Sequence, residues 1–366
     1  MTGSAERGSQ HLPAACTATP ASPDRDLPVT VSELPQVLFI AGWGRSGSTL
    51  LDRMLGDTPG VVSVGEIREL WHRGCLEDRL CGCGRPFSQC EFWVAVGDES
   101  FGGWQSFDGA RAAVLRDRLD RAWMAPALVL RRTHGSGIRH DRAEYHEMLR
   151  RLYRGIMTVS GATVVVDSSK LATHGMLLRG AGVPTAALHL VRDSRGVMHS
   201  WQKHVQRPDG SGDLMIRYGT AGGSLRYLFY NAMAQALRAT GMRYRRIRYE
   251  DLVADPATVL PEILGHVGIE PTPSGEHDTS GSAEGGHTLE LGTHHTVDGN
   301  PMRLRVGPIR LKVDDAWRQA MPRGKRLMVS AITAPLLLTY GYAGRIRRRP
   351  HRAAAAIRSG GRRSID

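Results

Sequence analysis

The sequence predicts a three-layer α/β fold of the P-loop type, with a central parallel sheet flanked by helices. Two observations carry this. Three short apolar runs and a fourth, weakly alternating stretch are interleaved with helical patterns, as strands of a covered parallel sheet are. The first run opens into a glycine-rich turn that passes directly into a helix, the order of elements that builds a phosphate cradle.

The strands are read at residues 37–41, 163–166, 186–191 and 243–248. The first is VLFIA and ends on Gly42; the second is β-branched and ends on Asp167. The third closes on Arg192-Asp193, and the fourth runs into Tyr249-Glu250-Asp251. Helical patterns fill residues 50–55, 142–159, 175–181, 196–205, 225–240 and 256–267. Polar site residues are expected at the carboxyl ends of the strands. Residues 98–140 and 208–221 read as insertions over that edge, where ligand specificity would sit. Residues 271–300, rich in Gly, Ser, Thr and His, read as a long loop in which His294 and His295 are bystanders.

Outside this body, residues 1–35 carry Ser, Thr, Pro, Ala and Gly with no long apolar run, which reads as a disordered leader rather than a secretory signal. The chain has a net charge of +12. Eight Arg against one Asp in residues 345–366 supply +7 of it, leaving +5 for the rest. That tail reads as a basic, disordered end able to make weak peripheral contact with an acidic membrane face. Residues 327–344 form the one apolar stretch of spanning length, but Pro335, Thr333 and two tyrosines make it a packed helix instead. The expected location is cytoplasmic, and nucleic acid is not an expected partner.

Four of the five cysteines (Cys75, Cys81, Cys83, Cys90) crowd a Cys-rich insert at residues 75–93. Their spacing is not a pair of CxxC knuckles, so metal, loop disulfides and reduced thiols all remain open from spacing alone. No metal is expected in the chemistry.

The turn is Gly42-Trp43-Gly44-Arg45-Ser46-Gly47-Ser48-Thr49. It keeps the glycine spacing of GxxxxGK[ST], but Ser48 stands where the lysine belongs. A nucleoside triphosphatase needs that lysine on the β- and γ-phosphates. Arg45 brings a planar cation instead, suited to a less charged, metal-free phosphosulfate.

With these residues in place, the run FIAGWGRSGSTLL resembles the 5′-phosphosulfate loop of PAPS-dependent sulfotransferases, in particular the bacterial and tyrosylprotein-sulfotransferase-like branches. LHLVRDSRGVMHSW is similar to that family's 3′-phosphate motif, and RRIRYEDLVADPATVLPEILGHVGI to the strand and helix that follow. GNPMRLRVGPIRLKVDDAW resembles a bacterial block that closes over the nucleotide. The resemblance implies a sulfotransferase domain over residues 36–344 that moves a sulfuryl group from PAPS to a small-molecule, sugar or lipid hydroxyl. It implies PAPS contacts from Gly44, Arg45, Ser46, Gly47, Ser48 and Thr49, and a 3′-phosphate site at Arg192 and Ser200. Tyr249 and Arg303 would be further nucleotide contacts. Glu66, twenty-one residues beyond Arg45, would be the base, with Arg45 and Lys170 as the other catalytic groups. Lys170 follows Asp167, whereas that branch's lysine precedes its aspartate. His72 is the alternative base. The rival readings are a phosphotransferase or nucleoside triphosphatase on the same loop, and a polyanion or membrane binder driven by the tail.

Overall fold

The computed structural model describes residues 34–130, 135–204, 216–270 and 287–342. The basic tail, the leader up to residue 33 and most of the 208–221 segment lie outside the described residues.

All four expected strands form, and a fifth joins them. The strands are β1 (Gln36–Ala41), β2 (Val61–Gly65), β3 (Val164–Lys170), β4 (Thr185–Val191) and β5 (Arg243–Arg248), paired in parallel in the order β2-β3-β1-β4-β5. The sheet is therefore the predicted parallel one. β2 was not read as a strand because VVSVG is short and polar at its centre. β3 runs four residues past the apolar stretch that marks it, through Asp167, Ser168 and Ser169 to Lys170.

Helices cover both faces. They are α1 (Ser48–Gly56), α2 (Glu91–Phe101), α3 (Gly109–Leu119), α4 (Ala125–Val129), α5 (Ser136–Ser160), α6 (Ala172–Gly180), α7 (Ser194–Gln202), α8 (Thr220–Ala236), α9 (Tyr249–Ala254), α10 (Pro256–His266), α11 (Trp317–Ala320), α12 (Arg323–Ile332) and α13 (Ala334–Thr339). A turn of π-helix, Leu70–Leu76, follows β2. One core lies between the sheet and α2, α3, α5 and α6, where Val37, Phe39 and Val165 meet Leu115, Tyr145, Leu149 and Leu177. Leu38, Ile40 and Leu188 point the other way, onto Leu51 and Leu55 of α1 and Ile263 of α10. This alternation is the pleat of β1 and β4 feeding two layers at once.

Residues 98–130 are helical and contribute Ala112, Leu115 and Leu119 to the first core. Within the expected loop at 271–300, residues 288–291 form β6 (Thr288–Leu291), antiparallel to β7 (Gly307–Arg310). Leu289 and Leu291 are the buried positions of β6, and Leu289 joins the second core. The apolar stretch at 327–344 is divided between α12 and α13 by Thr333 and Pro335. Among the described residues no helix is long and apolar enough to cross a membrane.

Candidate active site

The carboxyl ends of β1, β2, β3 and β4 surround an open cleft of about 490 Å³. Its floor is the turn between β1 and α1. Gly47, at φ 96°, precedes α1, and the amides of Leu50 and Leu51 both donate to its carbonyl. The α1 N-terminus therefore faces the cleft, with its dipole favouring an anion there.

Two aromatic rings lie directly on the turn. A Cβ on Gly44 would stand 2.7 Å from the Trp201 ring, and one on Gly47 would stand 2.4 Å from the Tyr249 ring. Glycine at these two positions is thus required by close approach of side chains from α7 and α9. The Trp201 indole N–H donates to the Gly44 carbonyl at 3.2 Å, and the Arg45 guanidinium lies 5.2 Å from the Trp201 ring centroid. Arg45 itself takes a left-handed backbone, φ 68°.

Arg192, just past β4, donates to the Arg45 carbonyl at 3.0 Å and to Asp314 at 2.9 Å, and its guanidinium lies 4.6 Å from the Tyr249 ring centroid. It is buried yet lines the cleft together with Ser200 and Tyr249.

At the opposite wall, Glu66 and Lys170 form an ion pair at the ends of β2 and β3. Both pairings of β3 shift register there, between Ser63 and Gly65 on β2 and between Phe39 and Ala41 on β1. Such irregularities re-aim side chains at a strand end. Lys170 has φ 68°, and its carbonyl accepts from the Gly42 amide at 3.1 Å, so lysine and loop are tied through the backbone. Burial raises the Glu66 carboxyl above its ordinary value, and the Lys170 ammonium partly offsets this.

A buried polar network backs that wall. Asp167 accepts from Tyr153 at 2.6 Å and from the Ser169 amide and hydroxyl, and the Arg68 amide donates to the Ser169 hydroxyl at 3.0 Å. His174, fully buried, lies at ion-pair distance from Asp167 (3.3 Å) and Asp120 (3.5 Å). Burial opposes its charge, but the two carboxylates outweigh that and lift the imidazole to about 9. Arg68 pairs with Asp120 at 2.8 Å, and Arg116 of α3 donates to the Arg68 carbonyl at 3.1 Å. The 98–140 segment therefore braces the residues that follow Glu66.

The cleft brings together Gly44, Arg45, Gly47, Ser48, Thr49, Glu66, Lys170, Arg192, Ser200 and Tyr249. Two expected residues do not line it. Ser46 is buried, with no hydrogen-bond partner for its hydroxyl. Arg303 is spent on the carbonyls of Thr296 (2.9 Å) and Leu80 (2.6 Å), so its place is in the packing of the C-terminal segment. His72 faces Asp117 at 3.1 Å and is also outside the cleft. Sequence reasoning missed Trp201, Tyr230, Asp298 and Asn300, which do line it. Trp201 directly follows Ser200, but nothing local shows that its ring reaches Gly44.

No family model matches the chain. Among curated proteins it is 29% identical over 106 residues to carbohydrate sulfotransferase 5 of Mus musculus, a match covering 27% of this chain and 23% of that protein. The chain thus spans less than a quarter of that relative. Among solved structures it is similar to the sulfotransferase domain of the Synechococcus PCC 7002 olefin synthase, at 20% identity over 87% of this chain and 98% of that one, TM-score 0.44. A sulfotransferase domain from the curacin biosynthetic pathway is similar at 18% identity, covering 83% and 98%, TM-score 0.43. Sulfotransferase STF9 from Mycobacterium avium follows at 13%, covering 84% and 77%, TM-score 0.42.

Proposed function

We propose that this chain is a PAPS-dependent sulfotransferase acting on the hydroxyl of a small-molecule, sugar or lipid acceptor. The observation that carries this reading is the spacing of charge in one cleft. Arg45 and the α1 N-terminus, Arg192 and Ser200, and the Glu66–Lys170 pair all line it, which supports two anion positions with a carboxylate and an ammonium in the same cleft. A nucleotide bearing a 5′-phosphosulfate and a 3′-phosphate needs two such positions.

In this reading the acceptor oxygen attacks sulfur as its proton passes to the Glu66 carboxylate. The bond between sulfur and the bridging phosphate oxygen breaks, and the electron pair leaves with that oxygen. Lys170 turns from Glu66 to the departing oxygen, and Arg45 neutralises charge on the transferring group. Asp167, the residue placed like a Walker-type aspartate, is fully buried and saturated by Tyr153, Ser169 and His174, which disfavours a triphosphatase on this loop.

Calorimetry with PAP, the desulfated nucleotide, tests the reading. Saturable PAP binding, with sulfate transfer from labelled PAPS to a hydroxyl acceptor panel, is expected. ATP binding without PAP binding would sink it.

A further inference from the structure

We propose that Cys81, Cys83, Cys90 and His295 form a structural zinc site that pins the C-terminal segment to the Cys-rich turn beside the cleft. Their ligand atoms all lie within 4.8 Å of one another. Cys90 Sγ is 3.6 Å from Cys81 Sγ and 3.7 Å from Cys83 Sγ; His295 Nδ1 is 3.2 Å from Cys90 Sγ and 3.8 Å from Cys81 Sγ. A zinc tetrahedron with bonds of about 2.3 Å to sulfur and about 2.0 Å to nitrogen requires edges of roughly 3.8 Å between sulfurs and roughly 3.5 Å from sulfur to nitrogen. The four sulfur–sulfur and sulfur–nitrogen distances above lie close to those edges, and the remaining two are within 4.8 Å. The sulfurs are too far apart for a disulfide bond, and all three cysteines are free thiols.

The surroundings are those of a thiolate site. The 81–85 turn is closed by the Cys81 amide on the Arg85 carbonyl (2.7 Å) and the Gly84 amide on the Cys81 carbonyl (2.9 Å). His295 is oriented by stacking on Phe92, 4.8 Å between centroids, and its carbonyl accepts from the Trp93 indole at 2.9 Å. Three thiolates and one zinc leave a net negative charge, and the buried Arg303 guanidinium is held beside it on the Leu80 carbonyl.

Spacing alone could not single out this set. Cys75, the fourth cysteine of the insert, lies in the apolar core instead, and its place is taken by a histidine 214 residues from Cys81. The consequence is mechanical. From His295 the chain passes Thr296 and Val297, whose amide donates to the Val64 carbonyl of β2 at 3.0 Å, and reaches Asp298, Gly299 and Asn300 in the cleft wall. A Cβ on Gly82 would stand 2.4 Å from the His294 carbonyl, so turn and segment touch at their backbones. Closed four-ligand coordination fits a structural role rather than a Lewis-acid one. This site does not depend on the sulfotransferase reading.

The test is metal analysis of the full chain, purified reduced and without chelator. One tightly held zinc per chain is expected, and cobalt substitution should give the intense visible bands of a tetrahedral thiolate site. Cys75→Ser should retain the metal, whereas Cys83→Ser and His295→Ala should lose it. Chelation should raise hydrogen exchange through residues 294–304. Zinc that gel filtration removes, cobalt without those bands, or mass spectrometry showing paired cysteines in the reduced preparation would each overturn the proposal. The wild-type measurements decide it even if a ligand variant fails to fold.

Discussion

The Lys170 ammonium rests on Glu66 Oε1, joining the ends of two neighbouring parallel strands at the wall of the cleft. Burial raises the Glu66 carboxyl above its ordinary value, and the Lys170 ammonium partly offsets that rise.

Glu66→Gln keeps the shape of the wall and removes the proposed base. Turnover should fall about 100- to 10,000-fold while PAP affinity stays within a few fold. Single-turnover kinetics beside calorimetry measures both, and normal turnover in the variant would remove Glu66 from the base role.

Lys170→Met removes the group that holds the Glu66 pKa down. A base works when ionised, so activity is lost as pH falls through that pKa. The acidic limb of the kcat/KM profile should lie above the ordinary carboxylate value of 4.5 in the wild type and move to still higher pH in the variant. An unmoved limb would show that the two groups do not interact in the working enzyme.

Gly44→Ala should weaken nucleotide binding, because its methyl meets the Trp201 ring at 2.7 Å. The obstruction is a side chain, so Trp201→Leu in the same chain should restore much of the loss. PAP titrations of the three variants give the coupling energy. Strict additivity would mean that the ring is not what excludes a side chain from position 44.

Arg192→Ala should lower PAP affinity about 10- to 100-fold, the range for a charge-assisted hydrogen bond. It also frees the Arg45 carbonyl that the side chain holds at 3.0 Å. Comparing PAP with adenosine 5′-phosphate separates the two effects. A second-anion role makes the loss larger for PAP; equal losses leave only the support of the loop.

His174→Gln removes a buried cation between Asp120 and Asp167 and should destabilise the fold by about 3–5 kcal/mol at neutral pH. The folded-state imidazole is raised from 6.5 to about 9. Its stabilisation is therefore fully present below about pH 6.5 and is lost as pH rises through about 9. Urea unfolding across that window should show wild-type stability declining and the variant nearly flat. Parallel curves would mean that the buried histidine is neutral.

Much of the framework could be read along the chain. β1, the turn and α1 are specified by residues in immediate succession: apolar residues for a doubly buried strand, glycines for the turn, a helix former beyond. β4 with Arg192 was legible for the same reason, and β5 through its weak alternation running into Tyr249. The sheet's fifth member, β2, and the hairpin of β6 and β7 were not, since their apolar residues are too few to stand out until a neighbouring surface covers them.

By itself, then, the sequence determined the local chemistry: a lysine-less anion turn, an arginine at a strand end, a glutamate after a short apolar run, a cluster of thiols. Only the tertiary structure decided which of these meet. It set Lys170 against Glu66 through the register of β2 and β3, laid Trp201 and Tyr249 on the two glycines, held Arg303 on the carbonyls of Thr296 and Leu80, and brought His295 rather than Cys75 to the other thiols. The physical reason is range. Backbone turns and strand burial depend on residues a few positions apart, whereas the meeting of side chains depends on strand order and register, which periodicity along one chain does not record.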